Sequence, residues 1–143
     1  MRRLTVVQLL PALDAGGVEQ STLEIAGALV RAGHRAIVVS AGGRLQAPLE
    51  AAGAEHIRLD IGRKSPLSLR HVPALRRLFR ERGTDIVHAR SRLPAWLGWR
   101  ALRGMPEAAR PRFVTTVHGL SSPSRYSAIM VRGERVVCVS DSV

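Results

Sequence analysis

The chain has 143 residues, of which 45% are hydrophobic and only 3% aromatic, and it carries a formal net charge of +11. That length suits one domain with a substantial core, and so few aromatic rings argue against a base-stacking nucleic-acid surface despite the charge. Cys138 is the single cysteine, so no intramolecular disulfide can form, and no apolar run approaches the ~18 residues of a membrane span.

Strand and helix signals alternate from the start. "LTVVQLL" (4–10) is a short β-rich run ended by Pro11, which predicts a buried strand. Residues 18–32 put Val18, Leu23, Ile25, Ala26, Leu29 and Val30 near one helical face, with Gly33 at the stop position. "RAIVVSA" (35–41) predicts a second strand. "RLQAPLEAAG" (44–53) predicts a short helix closed by Gly53, in spite of Pro48, and "EHIRLDI" (55–61) alternates as an exposed edge strand would.

"SPLSLRHVPALRRLFRERG" (65–83) reads as one amphipathic helix. Its apolar stripe is Val72, Leu75, Leu78 and Phe79, with Arg70, Arg76, Arg77 and Arg80 facing away. A strand at 84–89, a helix at 92–104, a strand at 112–119, a short helix at 125–133 and a strand at 134–140 complete the series, with 104–112 as the expected flexible loop. Six strands alternating with five helices predict an α/β, Rossmann-like, doubly wound parallel sheet spanning residues 1–143.

In such sheets ligands bind beyond the carboxyl ends of the strands. Polar and glycine residues gather at those ends: Gly16 and Gly17 after the first strand, Arg90, Ser91 and Arg92 after the fourth, His118 and Gly119 after the fifth, and Ser140 after the sixth. Gly16-Gly17 fits an anion-binding helix start or a plain turn. "RSR" (90–92) sets two guanidinium groups beside a hydroxyl, suited to a phosphate or carboxylate, or else a solvated helix start. His118 fits a site residue or a hydrogen-bonded loop residue, and His88 reads as structural. The glycines lack the spacing of a dinucleotide or P-loop fingerprint, and no metal-ligand spacing is present, so neither metal nor cofactor is expected.

The ordered segments "GGVEQSTLEIAGALVRAGHRAIVVSAGG", "PLSLRHVPALRRLFRERGTDIVHARSRLPAW", "FVTTVHG" and "RYSAIMVRGERVVCVSDSV" resemble the amino-terminal domain of family 4 glycosyltransferases of GT-B fold. The resemblance implies retaining, metal-independent transfer of a sugar from a nucleotide-sugar donor to a glycan or lipid-linked acceptor. It places Gly16 and Gly17 at the cleft, near donor phosphates or acceptor. His118 would stand against the transferred sugar as the catalytic residue, and Arg90, Ser91 and Arg92 would face the acceptor. The family's second, donor-binding domain, with its basic pair and Glu-x7-Glu segment, is not found within these residues, so the chain alone is expected to be inactive.

Twenty-one of the 22 basic residues are arginine, the exception being Lys64. Nucleotide bias in the genome accounts for that as well as an anion-facing surface does. An alternative reading is therefore a non-catalytic acceptor-binding or membrane-surface module, with the basic helix 65–83 resting on anionic lipid. The apolar run after Arg2 and Arg3 alternates like a strand and lacks a cleavage site, so the chain is read as cytoplasmic.

Overall fold

The computed structural model describes residues 3–13, 17–62, 65–118 and 135–139. Its strands are β1 (Thr5–Leu9), β2 (Arg35–Ser40), β3 (Glu55–Arg58), β4 (Ile86–Ala89), β5 (Arg112–His118) and β6 (Arg135–Val139). The helices are α1 (Gly17–Arg31), α2 (Gln46–Ala51), α3 (His71–Glu81) and α4 (Arg92–Arg103). The six strands form one sheet in the order β3-β2-β1-β4-β5-β6, and every neighbouring pair is parallel. The chain therefore winds outward from β1 to one edge, crosses back at β4, and winds to the other edge. The expected α/β Rossmann-like sheet is what these residues form.

Parallel strands buried on both faces explain the continuous apolar runs. Every residue of β1 is buried. Side chains along it and just beyond feed two cores: Val7 and Leu9 pack with α3 and α4, while Leu10, the next residue, packs with α1 and α2. Each fully buried leucine of this kind stabilises the fold by roughly 1.5–3 kcal/mol through removal from water. At the other end of β1, Asp85 Oδ2 accepts the Thr5 amide at 2.8 Å, which ties the start of β1 to the entry of β4.

Gly33 closes α1 at φ +89°. In that left-handed turn Gly33 N–H reaches Val30 O and His34 N–H reaches Leu29 O, so two free helix carbonyls gain partners. Pro48 is tolerated because it stands in the first turn of α2, where its missing N–H would have had no helical partner. β3 is the outermost strand on its side of the sheet, as its alternation suggested, although it ends at Arg58 rather than 61.

Two expectations are corrected. The segment 65–83 is not one helix: a 3-10 turn, Pro66–Arg70, precedes α3 and is opened by Ser65, whose hydroxyl accepts the Leu67 amide. Within α3 the buried stripe is Val72, Leu75, Leu78 and Phe79 as read, but Arg76 does not face away. Its Nε donates to Ala101 O at 3.0 Å and its Nη2 to Arg100 O at 3.3 Å, so it caps the end of α4. The loop at 104–112 contains a short 3-10 turn, Glu107–Ala109. The helix expected at 125–133 lies outside the described residues.

Candidate functional site

The strand order reverses between β1 and β4, and the carboxyl ends of these two strands define the crevice where ligands of such sheets sit. The β1 end is tightly framed. Leu10 N–H reaches Val39 O, Leu13 N–H reaches Gly42 O, and Leu45 N–H reaches Leu13 O, so the loops after β1 and β2 brace one another. Arg90 N–H continues the β1–β4 ladder by donating to Leu9 O at 2.9 Å.

Gly17 is the first residue of α1 and is exposed. A Cβ built there would have nothing among the described residues within 4 Å, and its φ lies outside the positive range. Neither packing nor backbone conformation in the described chain calls for glycine at this position. Gly17 opens a 15-residue helix whose first amides have no partner within the helix and carry a partial positive charge. Gly16, Gly119 and Ser140 lie outside the described residues.

The structure separates the residues of "RSR". Arg90 is 2% exposed and turns inward beneath α1. Its Nη1 donates to Gln8 Oε1 at 3.3 Å and its Nη2 to Ser21 Oγ at 2.6 Å. Gln8, wholly buried, donates its Nε2 to Thr22 O, and the Thr22 hydroxyl donates to Val18 O. Burial holds the Arg90 guanidinium below its ordinary pKa. Ser91 caps the start of α4 from extended backbone without a side-chain capping bond, and Arg92 is exposed on the first turn of α4. Arg90 and Arg92 thus do not form a paired clamp on one ligand.

Gln8, Ser21 and Thr22 belong to this polar cluster, and the sequence reading did not include them. One signal was present: a glutamine in the middle of "LTVVQLL" must find partners if the strand is buried on both faces. His118 ends β5 at the same carboxyl edge and is in register with Val139 of β6. His88, half-buried on β4, is in register with Gln8.

Beside the start of α4 the same edge carries a cleft of about 330 Å³, lined by Pro66, Leu69, Leu93, Trp96 and Leu97 together with Ser65 and Ser68. A second, of about 400 Å³, lies between Asp60 and the 3-10 turn, against Arg70 and His71. Leu67 and Leu69 on that turn are 69% and 47% exposed. Among the described residues no three His, Cys, Asp or Glu side chains converge as a metal site, and no helix is long and apolar enough to cross a membrane.

Residues 15–143 match the sequence profile of Glycosyltransferase Family 4. A glycosyltransferase from Rickettsia africae ESF-5 superposes with a TM-score of 0.81 at 33% identity, over 97% of this chain and 37% of that one. Acinetobacter baumannii MurG superposes at 0.71 with 15% identity, over 94% and 41%. Anabaena Alr3699/HepE, solved in complex with UDP and glucose, superposes at 0.59 with 18% identity, over 82% and 30%. The last two likenesses concern the fold. The chain spans well under half the length of each of these structures, and no curated protein matches it in sequence.

Proposed function

The chain belongs to glycosyltransferase family 4, and on that premise we propose that it supplies the amino-terminal, acceptor-side wall of a cleft that transfers a sugar from a nucleotide-sugar donor to an acceptor. The observation that supports this most directly is Gly17: a glycine with no conformational or packing need among the described residues, at the amino end of α1, beside the switch point of the sheet. Such a helix end suits a phosphate or the hydroxyls of a sugar. HepE, of the same fold, was solved with UDP and glucose.

In this reading His118, at the carboxyl end of β5, stands against the transferred sugar and steadies charge developing at its anomeric carbon. Ser91 and Arg92, at the start of α4, border the acceptor, and the apolar cleft beside them accepts its less polar part. Retention and independence from metal are part of the proposal. A second domain would have to close over this wall to align the reactants and exclude water, so the 143 residues alone give no transfer. The experiment uses a two-domain relative such as the Rickettsia africae enzyme. Changing the residue aligned with His118 to alanine lowers turnover by at least ~100-fold while donor binding persists. Unchanged turnover would remove His118 from the mechanism, and donor-dependent transfer by the isolated 143-residue chain would remove the half-cleft reading.

A second reading, a membrane-surface module, is favoured by Leu67 and Leu69, which stand exposed beside the exposed Arg70. Sedimentation with anionic and neutral liposomes tests it. Equal binding to both leaves only the cleft reading.

A further inference from the structure

The turn after β2 and the segment after β1 are fastened by backbone bonds: Ala41 N–H to Pro11 O, Leu13 N–H to Gly42 O, and Leu45 N–H to Leu13 O. Together they build one wall of the crevice beside the strand reversal. The Gly42 peptide carries the middle bond, and its own N–H is held by a side chain, the Ser40 hydroxyl, at 3.0 Å. The His56 ring of β3 lies against the same turn. A Cβ built on Gly42, which sits at φ +93°, would fall 4.0 Å from His56 Cε1.

Ser40 is wholly buried, so its hydroxyl depends on protein partners. Its oxygen accepts from Gly42, and His56 Nε2 stands 2.7 Å away. With the ring neutral and its proton on Nδ1, Ser40 donates to Nε2. Donors and acceptors then match along the chain from Gly42 through Ser40 to His56. With the ring protonated, Nε2 is itself a donor. Ser40 then faces two donors, and its own hydrogen loses the acceptor it had.

We propose that His56 is a positioning residue of the crevice and a proton-operated latch. Neutral, it holds the turn after β2 against the segment after β1 through Ser40 and Gly42; protonated, it releases that turn. The proposal rests on the cleft reading for the meaning of this wall and adds its regulation. The charged groups facing the ring are Glu50 from α2, which attracts the imidazolium, and Arg58 of β3, which repels it. From β2 and its turn the neighbours are the uncharged Ser40 and Gly42. Burial keeps the ring neutral to lower pH than a free histidine, against the pull of Glu50 and with the help of Arg58. The latch is therefore closed above about pH 6.5 and opens as pH falls through the folded value.

The 143-residue chain is titrated by NMR from about pH 7.5 to 5, following the His56 ring and the amides of Leu13, Gly42 and Leu45. The internal control is Arg90 N–H, bonded to Leu9 O on the other side of β1. The three amides should shift with the His56 midpoint. Their protection from hydrogen exchange, corrected for the intrinsic effect of pH, should fall roughly 3- to 10-fold relative to Arg90. His56→Gln, uncharged throughout, should remove that midpoint from all three amides. Ser40→Ala should leave His56 titrating while the amides no longer follow it. A merely structural His56 would give the wild-type amides no midpoint.

Three results overturn the proposal: amides that stay flat through the His56 midpoint, a midpoint that persists in His56→Gln, or amides that still follow His56 in Ser40→Ala. The first is read on the wild-type chain alone, whatever the stability of the variants. Failure of sugar transfer in a two-domain enzyme would remove the cleft reading and leave the latch standing. Flat amides would remove the latch and leave the cleft reading untouched.

Discussion

The Ser40 hydroxyl and His56 Nε2 lie 2.7 Å apart and join the last residue of β2 to the edge strand β3. Gly42 N–H donates to the same Ser40 oxygen at 3.0 Å, so the hydroxyl hydrogen is free to point at the unprotonated ring nitrogen. Burial holds the His56 pKa below its ordinary 6.5; Glu50 opposes this and Arg58 reinforces it. Because the folded pKa lies below the unfolded one, the unfolded chain takes up the proton more readily. The contribution is therefore complete above about pH 6.5 and is lost as pH falls through the folded value. Urea unfolding should show wild-type stability declining with acidification more steeply than that of His56→Gln, with the two slopes converging above neutrality. Parallel slopes would mean that His56 titrates alike in both states.

Arg76 is expected to be worth more than a surface arginine. Its bonds to Ala101 O and Arg100 O satisfy carbonyls at the end of α4, and Arg76→Ala should cost about 1–2 kcal/mol. The side chain lies across Gly104, where a Cβ would fall 2.2 Å from Arg76 Cζ although the backbone (φ −82°) admits alanine. Gly104→Ala should therefore cost nearly as much as Arg76→Ala, and adding it to Arg76→Ala should cost little more. Additive effects in a denaturation cycle would show that Arg76 does not cap α4.

The element alternation was legible because parallel strands buried on both faces leave unbroken apolar runs, and helices between them keep their period. The split at Arg70–His71 was not, since a 3-10 turn and an α-helix can present the same apolar stripe and differ only in which carbonyl each amide reaches. Arg76 read as solvated because its partners are backbone carbonyls 24 and 25 residues away, which no local pattern announces. The site was half legible. Residue types at strand ends marked the edge, but a strand end does not say which way a side chain turns. Arg90 turns inward to meet Ser21, 69 positions earlier, and the only local trace of that cluster is the polar Gln8 in an apolar strand.

Gly17→Ala separates ligand binding from folding. A Cβ there meets none of the described residues within 4 Å, and alanine favours helix over glycine by up to ~1 kcal/mol, so stability should hold or rise slightly. On the proposed reading the methyl group would stand where a phosphate or sugar approaches α1. In a two-domain relative the equivalent change should raise the donor or acceptor KM. Unaltered binding with unaltered stability would place the ligand elsewhere along the strand ends.

Gly98 sets how closely α4 lies on the sheet. A Cβ at this position would come 2.7 Å from Leu9 Cδ1, with Val87 Cγ1 and Phe113 Cε1 next at 3.8 and 3.9 Å. Leu9 is wholly buried in the core on that face of the sheet. Gly98→Val forces the helix off β1 or the leucine off its rotamer, at a cost of about 1–3 kcal/mol. Gly98→Ala is the milder case, since the helix propensity gained offsets part of the crowding. In urea the valine variant should show a lower midpoint with an unchanged slope, because the surface exposed on unfolding hardly differs. The start of α4 carries Ser91 and Arg92 and borders the apolar cleft through Leu93 and Trp96, so a displaced helix would also shift the wall proposed to border the acceptor. In a two-domain relative the equivalent valine should raise the acceptor KM more than the donor KM. A rise in the donor KM alone would mean that α4 does not border the acceptor.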